Sequence, residues 1–173
     1  DHIDERTAFA DRHGYVETMF GFKREIAKVS EDRASFWANQ AVNSGIQGTA
    51  HQLVLIAIAE TKRKPKTFWA LREDMRMEVH DANYYRVRMK NLQEAYKQGK
   101  FLLEDQVKRA IVRRFGWELK VPLLAEAKTG FRQGALVGYD GDPVEKIVKK
   151  WLIFNACVDD RTTENLRRIS KSE

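Results

Sequence analysis

Apolar and polar residues change their spacing several times along the chain, and each change marks an element. In residues 14–28, Tyr15, Val16 and Thr18 are strand formers and Phe20-Gly21-Phe22 reads as a turn, which predicts a hairpin. Residues 33–40 and 52–62 read as helix. The intervening Ser44-Gly45-Ile46-Gln47-Gly48-Thr49 carries two glycines, which weaken helix and permit a bend, so two helices are expected. Residues 53–59 are apolar on every face, which predicts a helix buried all round, inside a larger body and against a sheet. Met75, Met77 and Val79 then alternate with Arg76, Glu78 and His80, and Tyr85, Val87 and Met89 alternate in the next stretch. These are two strands tightly connected through residues 81–83, with the Asp81 carboxylate outside the packed interior.

Helical spacing returns over residues 90–98 and 101–115, where Leu103, Val107, Ala110 and Ile111 form one apolar stripe. Lys108, Arg109, Arg113 and Arg114 fall mostly on other faces and read as solvated surface rather than a phosphate track; the run Lys62-Arg63-Lys64-Pro65-Lys66 has the charge to touch phosphates but reads as a solvated loop broken by Pro65. Residues 119–127 read as a strand. Asp142-Pro143 opens a further helix, Asp as N-cap and Pro at the first helical position, with Val144, Ile147, Val148, Trp151 and Leu152 as its buried stripe. A short helix is expected over residues 163–169. The sum is an α+β fold, an antiparallel sheet packed by helices, divided into residues 1–140 and a helical extension at 141–173.

Composition narrows the function classes. The chain has 173 residues, enough for one domain with its own core, at 43% hydrophobic and 32% charged. Lys and Arg outnumber Asp and Glu by 31 to 25, a formal charge of +6, which suits a polyanion such as nucleic acid and equally an ordinary basic surface. The single cysteine, Cys157, rules out an intramolecular disulfide and a cysteine-based metal site, and suits the reducing cytoplasm. The longest apolar run, residues 53–59, falls far short of the roughly 20 residues a membrane span needs, so no membrane partner is expected. No signal-peptide pattern opens the chain. It begins at Asp1 rather than Met, which suggests a removed start or a piece of a longer polypeptide.

Val79-His80-Asp81 alone is a weak signal, since many strands end in a turn-forming Asp beside a His. The order of four segments is specific: Gly14-Tyr15-Val16-Glu17-Thr18-Met19-Phe20-Gly21 after Arg12-His13; Asn43-Ser44-Gly45-Ile46-Gln47-Gly48-Thr49-Ala50; Met77-Glu78-Val79-His80-Asp81; and Leu119-Lys120-Val121-Pro122-Leu123-Leu124-Ala125-Glu126. Over residues 12–130 this series resembles the C-terminal palm segment of family A DNA polymerases, the bacterial DNA polymerase I type. Single-subunit RNA polymerases share a similar His-Asp hairpin, but the first two segments point to the DNA enzymes.

The resemblance implies an antiparallel palm sheet carrying a motif C hairpin, with residues 1–140 as the C-terminal half of the palm. It implies Asp81 as a catalytic carboxylate and Mg2+ ligand, with His80 beside it at the primer end. Gln47 and Asn43 become contacts to template and primer, because amide side chains can donate to the minor-groove acceptors of every base pair. The implied partners are primer-template DNA, deoxynucleoside triphosphates and the remainder of the polymerase, in the same chain or a separate subunit. The implied chemistry is in-line displacement at phosphorus between two metal ions, for which hard oxygen ligands are suited.

Four departures qualify the resemblance. Ala82 stands where the family has Glu after His-Asp, and Asn39 where it has Arg four residues before Asn43, a charged contact to the DNA that is either lost or supplied elsewhere, with Arg33 as the candidate. The chain is longer around Lys97-Gln98-Gly99-Lys100, and residues 142–170 continue past the usual end; both hint at a viral or otherwise unusual polymerase, acting in a bacterium or an infected cell. The family's first metal-binding aspartate and its finger helix have no counterpart in these residues, so the chain is not expected to polymerise DNA alone. The alternatives are a non-catalytic remnant that grips primer-template DNA, and an interaction protein that docks through the helix at 143–154.

Overall fold

The computed structural model describes residues 2–26, 34–72, 75–131 and 133–154. Arg33, Cys157 and the expected helix at 163–169 lie outside them. Within them the fold is α+β, with three small two-stranded antiparallel sheets, rather than one continuous sheet, packed by helices. No helix there is long and apolar enough to cross a membrane.

Helix α1 (His2–His13) has too polar a composition to announce itself by periodicity. Its ends are nonetheless well specified. Asp4 and Glu5 occupy the first turn and Arg12 and His13 the last, which complements the helix dipole. Gly14, at φ 73°, closes the helix by donating its N–H to the Ala10 carbonyl at 2.8 Å. The predicted hairpin follows as β1 (Tyr15–Glu17) and β2 (Lys23–Glu25), paired Val16 to Arg24.

Helix α2 (Ala34–Arg63) runs unbroken for 30 residues, which corrects the expectation of two helices with a bend. Its glycines answer to packing. A Cβ on Gly48 would lie 2.9 Å from Thr18 Cγ2, so only glycine lets the β1 strand end come this close. The apolar run at 53–59 is not buried all round: Val54, Ile56 and Ala57 are buried, whereas Leu55 is 43% exposed. Ile56 and Ala57 pack mainly with helical residues between 95 and 111, and among the described residues a sheet contributes only Tyr85, partly buried against the same cluster.

Strands β3 (Met75–Val79) and β4 (Ala82–Tyr85) form the second hairpin, with Val79 opposite Ala82. The turn is therefore the pair His80-Asp81, one residue earlier than the expected 81–83, and Val87 and Met89 fall beyond the strand. Helix α3 (Trp69–Arg72) is a single turn before β3.

The two helices expected at 90–115 join into one rod: α4 (Leu92–Phe101), a π-helical turn (Leu102–Gln106) and α5 (Val107–Phe115), ended by Gly116 at φ 74°. The expected strand at 119–127 does not form, and regular pairing is confined to β5 (Lys128–Thr129) with β6 (Val137–Gly138). Pro122 has no N–H to give a ladder. Side chains of the rod bind the segment instead: Lys100 Nζ donates to the Ala125 carbonyl at 2.9 Å, and Ala125 N–H donates to Glu104 Oε1 at 2.9 Å.

Helix α6 (Val144–Phe154) buries Ile147, Val148 and Trp151 as predicted. Asp142 does not cap the backbone. Its two oxygens accept from Lys146 and Lys150, each at 2.9 Å, and the Pro143 carbonyl receives the first helical hydrogen bonds.

Three apolar clusters hold these elements. One joins Ala10, Val16, Ile26, Trp37 and Ala41. The largest joins Ile56 and Ala57 of α2 to Phe68, Leu71, Ala95, Leu102, Val107, Ala110 and Ile111. The third sets α6 and Tyr139 against Leu92 and Tyr96. The first two share α2 as their spine, and the third holds α6 to the start of the rod.

Candidate active site

Asn43, Gln47 and His51 are four residues apart on α2 and so lie one above another on one face. The Gly45 and Gly48 positions bring this part of α2 against the first hairpin. Thr49 Oγ1 donates to the Gly45 carbonyl at 2.7 Å and accepts from Met19 N–H at 3.2 Å. Arg6 Nη1 reaches the Glu17 carbonyl at 3.0 Å. The first two sequence segments of the resemblance are thus one packed unit, whose exposed edge presents Asn43 and Gln47.

The second hairpin delivers His80 and Asp81 to the same place. Both side chains are exposed, as a two-residue turn between short strands requires. His80 has φ 55°, the one non-glycine residue among those described with positive φ. Primed hairpin turns need this sign at their first central residue because it matches the twist of the strands. Histidine tolerates it better than most residues, at a cost of about 1–2 kcal/mol.

A histidine the sequence reading passed over ties the two units together. His51 Nδ1 lies 2.8 Å from Glu78 Oε1 and 3.2 Å from the His80 carbonyl. Both partners are acceptors, so Nδ1 carries the proton. The contact anchors the strained turn to α2 from one side, and Glu78 is turned to it by the β3 register. The available signal was its spacing, four residues after Gln47 on the Asn43 face.

Gln47, His51, His80 and Asp81 line one cavity of about 580 Å³, together with Gly48, Thr18 and Arg24 of β2. Arg24, too, was missed; in sequence it is one basic residue of a short exposed strand. Of the predicted site residues, Gln47, His80 and Asp81 are brought together, Asn43 stands exposed one turn away on α2, and Arg33 lies outside the described residues. Asn39 is exposed one further turn back, and Ala82 opens β4 with no carboxylate to offer.

The donor set is that of a hairpin-tip oxygen ligand with amide and imidazole neighbours. Asp81 can give oxygen to a hard cation, but the nearby Glu78 carboxylate is engaged by His51. Among the described residues no three His, Cys, Asp or Glu side chains converge on a metal position. A two-ion site therefore does not fit these residues by themselves; one ligand of such a site does.

The sequence matches DNA polymerase family A over residues 1–134. It is 35% identical over 82 residues to DNA polymerase I of Chloroflexus aurantiacus, covering 46% of this chain and 9% of that protein. It is 29% identical over 133 residues to the DNA polymerase I of Caldicellulosiruptor bescii and to that of Streptococcus pneumoniae, each match covering 75% of this chain and 14% of the relative. The chain thus spans a small part, 9–14%, of the length of these relatives.

Proposed function

This chain belongs to DNA polymerase family A, and on that premise we propose that it supplies the hairpin carboxylate and part of the DNA-contacting face of a template-directed DNA polymerase. One observation carries the reading: Gln47 of α2 and His80-Asp81 of the hairpin, more than 30 residues apart, line one cavity.

The proposed roles follow from placement. Asp81 offers oxygen at the primer end, and its exposed turn can meet that end without rearrangement. His80, beside it, donates to the primer's terminal phosphate region. Gln47 and Asn43 hold the template-primer junction through donors that fit the minor groove of any base pair. His51 is a positioning residue: it acts on the turn through Glu78 and the His80 carbonyl. What a divalent cation such as Mg2+ supplies when bound there is neutralisation of charge on the transferring phosphoryl group. The further carboxylates and the nucleotide-binding helix of a complete site belong, on this reading, to another part of the polymerase, in the same polypeptide or a separate subunit, so the chain does not polymerise alone. Residues 1–140 make up the palm portion and 141–173 an appended helical extension, in an enzyme that works in the cytoplasm.

Ala82, which leaves the hairpin with a single exposed carboxylate, favours a second reading: a remnant that binds primer-template DNA without chemistry. Primer extension separates the two. The chain is combined with a polypeptide bearing the upstream palm and finger elements, and a labelled primer is followed on gels. The enzyme reading expects extension that falls roughly 10²-fold or more in Asp81→Ala, with DNA binding retained. DNA binding with no extension in any combination would establish the remnant instead.

A further inference from the structure

The two charge runs that read as solvated surface, at 62–66 and 108–114, meet in the fold. Between them sits Glu60, whose side chain is fully buried. Arg63 grips it by Nε at 2.9 Å and Nη2 at 2.8 Å, Arg113 by Nη2 at 2.6 Å, and Gln106 donates Nε2 at 2.8 Å. Lys64 joins through Gln106 Oε1 at 3.0 Å. Arg114 Nη2 is 3.8 Å from the same carboxylate, an ion pair without a hydrogen bond.

Four cations thus surround one carboxylate. Arg63 and Arg113, with Gln106, already fill its acceptor positions, so Arg114 brings like charge into the cluster with no hydrogen bond in return. The three arginine side chains are 41–43% exposed, so their outer donors face solvent. Lys62 and Lys66 are exposed nearby in the same run. A buried acid that orients several guanidinium forks, with charge in excess, suits an incoming oxyanion, because the fork matches phosphate geometry.

We infer that this cluster is a second phosphate-binding site, which takes the sugar-phosphate backbone of nucleic acid without reading its sequence. Only the choice of nucleic acid over other polyanions rests on the polymerase reading. The site is separate from Asp81. From Gln47 to Glu60, α2 advances about 20 Å and turns about 220°, so the cluster faces away from the primer-end cavity and engages a different stretch of backbone.

The test uses the 173-residue chain and a fluorescein-labelled blunt duplex, with binding followed by anisotropy from about 20 to about 300 mM salt. The double variant Lys62→Ser/Arg114→Ser spares the hydrogen bonds to Glu60, and its fold is checked by thermal melting. The expected result is binding weaker on the order of tenfold at low salt, with a log–log salt slope shallower by roughly 0.9 for each phosphate that the variant no longer neutralises. Combined with Asn43→Ala/Gln47→Ala, the effects should add, because the sites are separate. An unchanged slope and affinity in a folded double variant would overturn the inference. So would displacement of the duplex by polyglutamate as effective as by unlabelled DNA, which would point to an acidic protein surface. Either result can be read whether or not the chain supports primer extension, so a failure here is distinct from a failure of the polymerase reading.

Discussion

At the scale of single residues, the hairpin tip is where conformation and chemistry bear on one another. His80 holds a positive φ that a β-branched side chain resists strongly. His80→Val is therefore expected to lower stability by about 1–2 kcal/mol, whereas His80→Gly relieves the strain and leaves the stability measured in urea within about 1 kcal/mol of the parent. His51 acts on the same turn through its contacts with Glu78 and the His80 carbonyl. If Asp81 acts as proposed, His51→Ala should lower kcat for primer extension by the assembled polymerase on the order of tenfold while the KM for nucleotide changes little, because the variant would misplace Asp81 and leave nucleotide contacts alone. Partial recovery in His51→Asn, whose amide can donate in place of Nδ1, would separate this role from general packing; an equal fall of fold stability and kcat in both variants would argue against it.

At the scale of elements, α2 shows how two glycines in one helix do different work. Gly48 faces Thr18 at a distance that a Cβ would bring to 2.9 Å, whereas a Cβ on Gly45 would meet the Glu17 carbonyl at an ordinary 3.7 Å. Gly45→Ala is expected to stabilise by roughly 0.5–1 kcal/mol through helix propensity. Gly48→Ala gains the same propensity but overpacks the joint with the first hairpin, for a net destabilisation of about 1 kcal/mol. Denaturant titration of the two variants gives opposite signs if α2 is continuous through this region, and destabilisation in both if the helix bends there. The glycines are plain in the sequence, but what lies beside them is not. The failed strand at 119–127 has a similar cause: its alternation is real, yet the N–H and carbonyl of Ala125 are taken by Glu104 and Lys100 of a neighbouring rod.

For the whole molecule, the Glu60 cluster joins the α2 end to the π-helical turn and α5, and its charge state is expected to contribute to stability in acid. Burial alone would raise the Glu60 pKa, but the hydrogen bonds from Arg63 and Gln106 and the charge of Arg113 outweigh it and lower it from 4.5 to about 2. A carboxyl held below its unfolded pKa stabilises the fold fully above pH 4.5 and loses that contribution as pH falls towards about 2. Thermal melting between about pH 6 and about pH 2 should show a decline over this interval that Glu60→Gln largely removes, with the variant already less stable at neutral pH by about 3 kcal/mol. A parallel decline in parent and variant would assign the acid limb to other carboxylates.

Local spacing and motif order were enough to read both hairpins, the stripe of α6, the class of fold and the family, together with Asp81 at an exposed tip. Each rests on a pattern within a few residues or on segments whose order is specific. The meeting of distant residues came from the packed fold alone. His51 reaching Glu78, Gly48 admitting Thr18, and Glu60 gathering Gln106 and Arg113 depend on packing across 27 to 53 residues of chain. Periodicity assigns a residue to a face but not to the neighbour across from it, and the neighbour is what makes a charge run a solvated surface or a binding cluster.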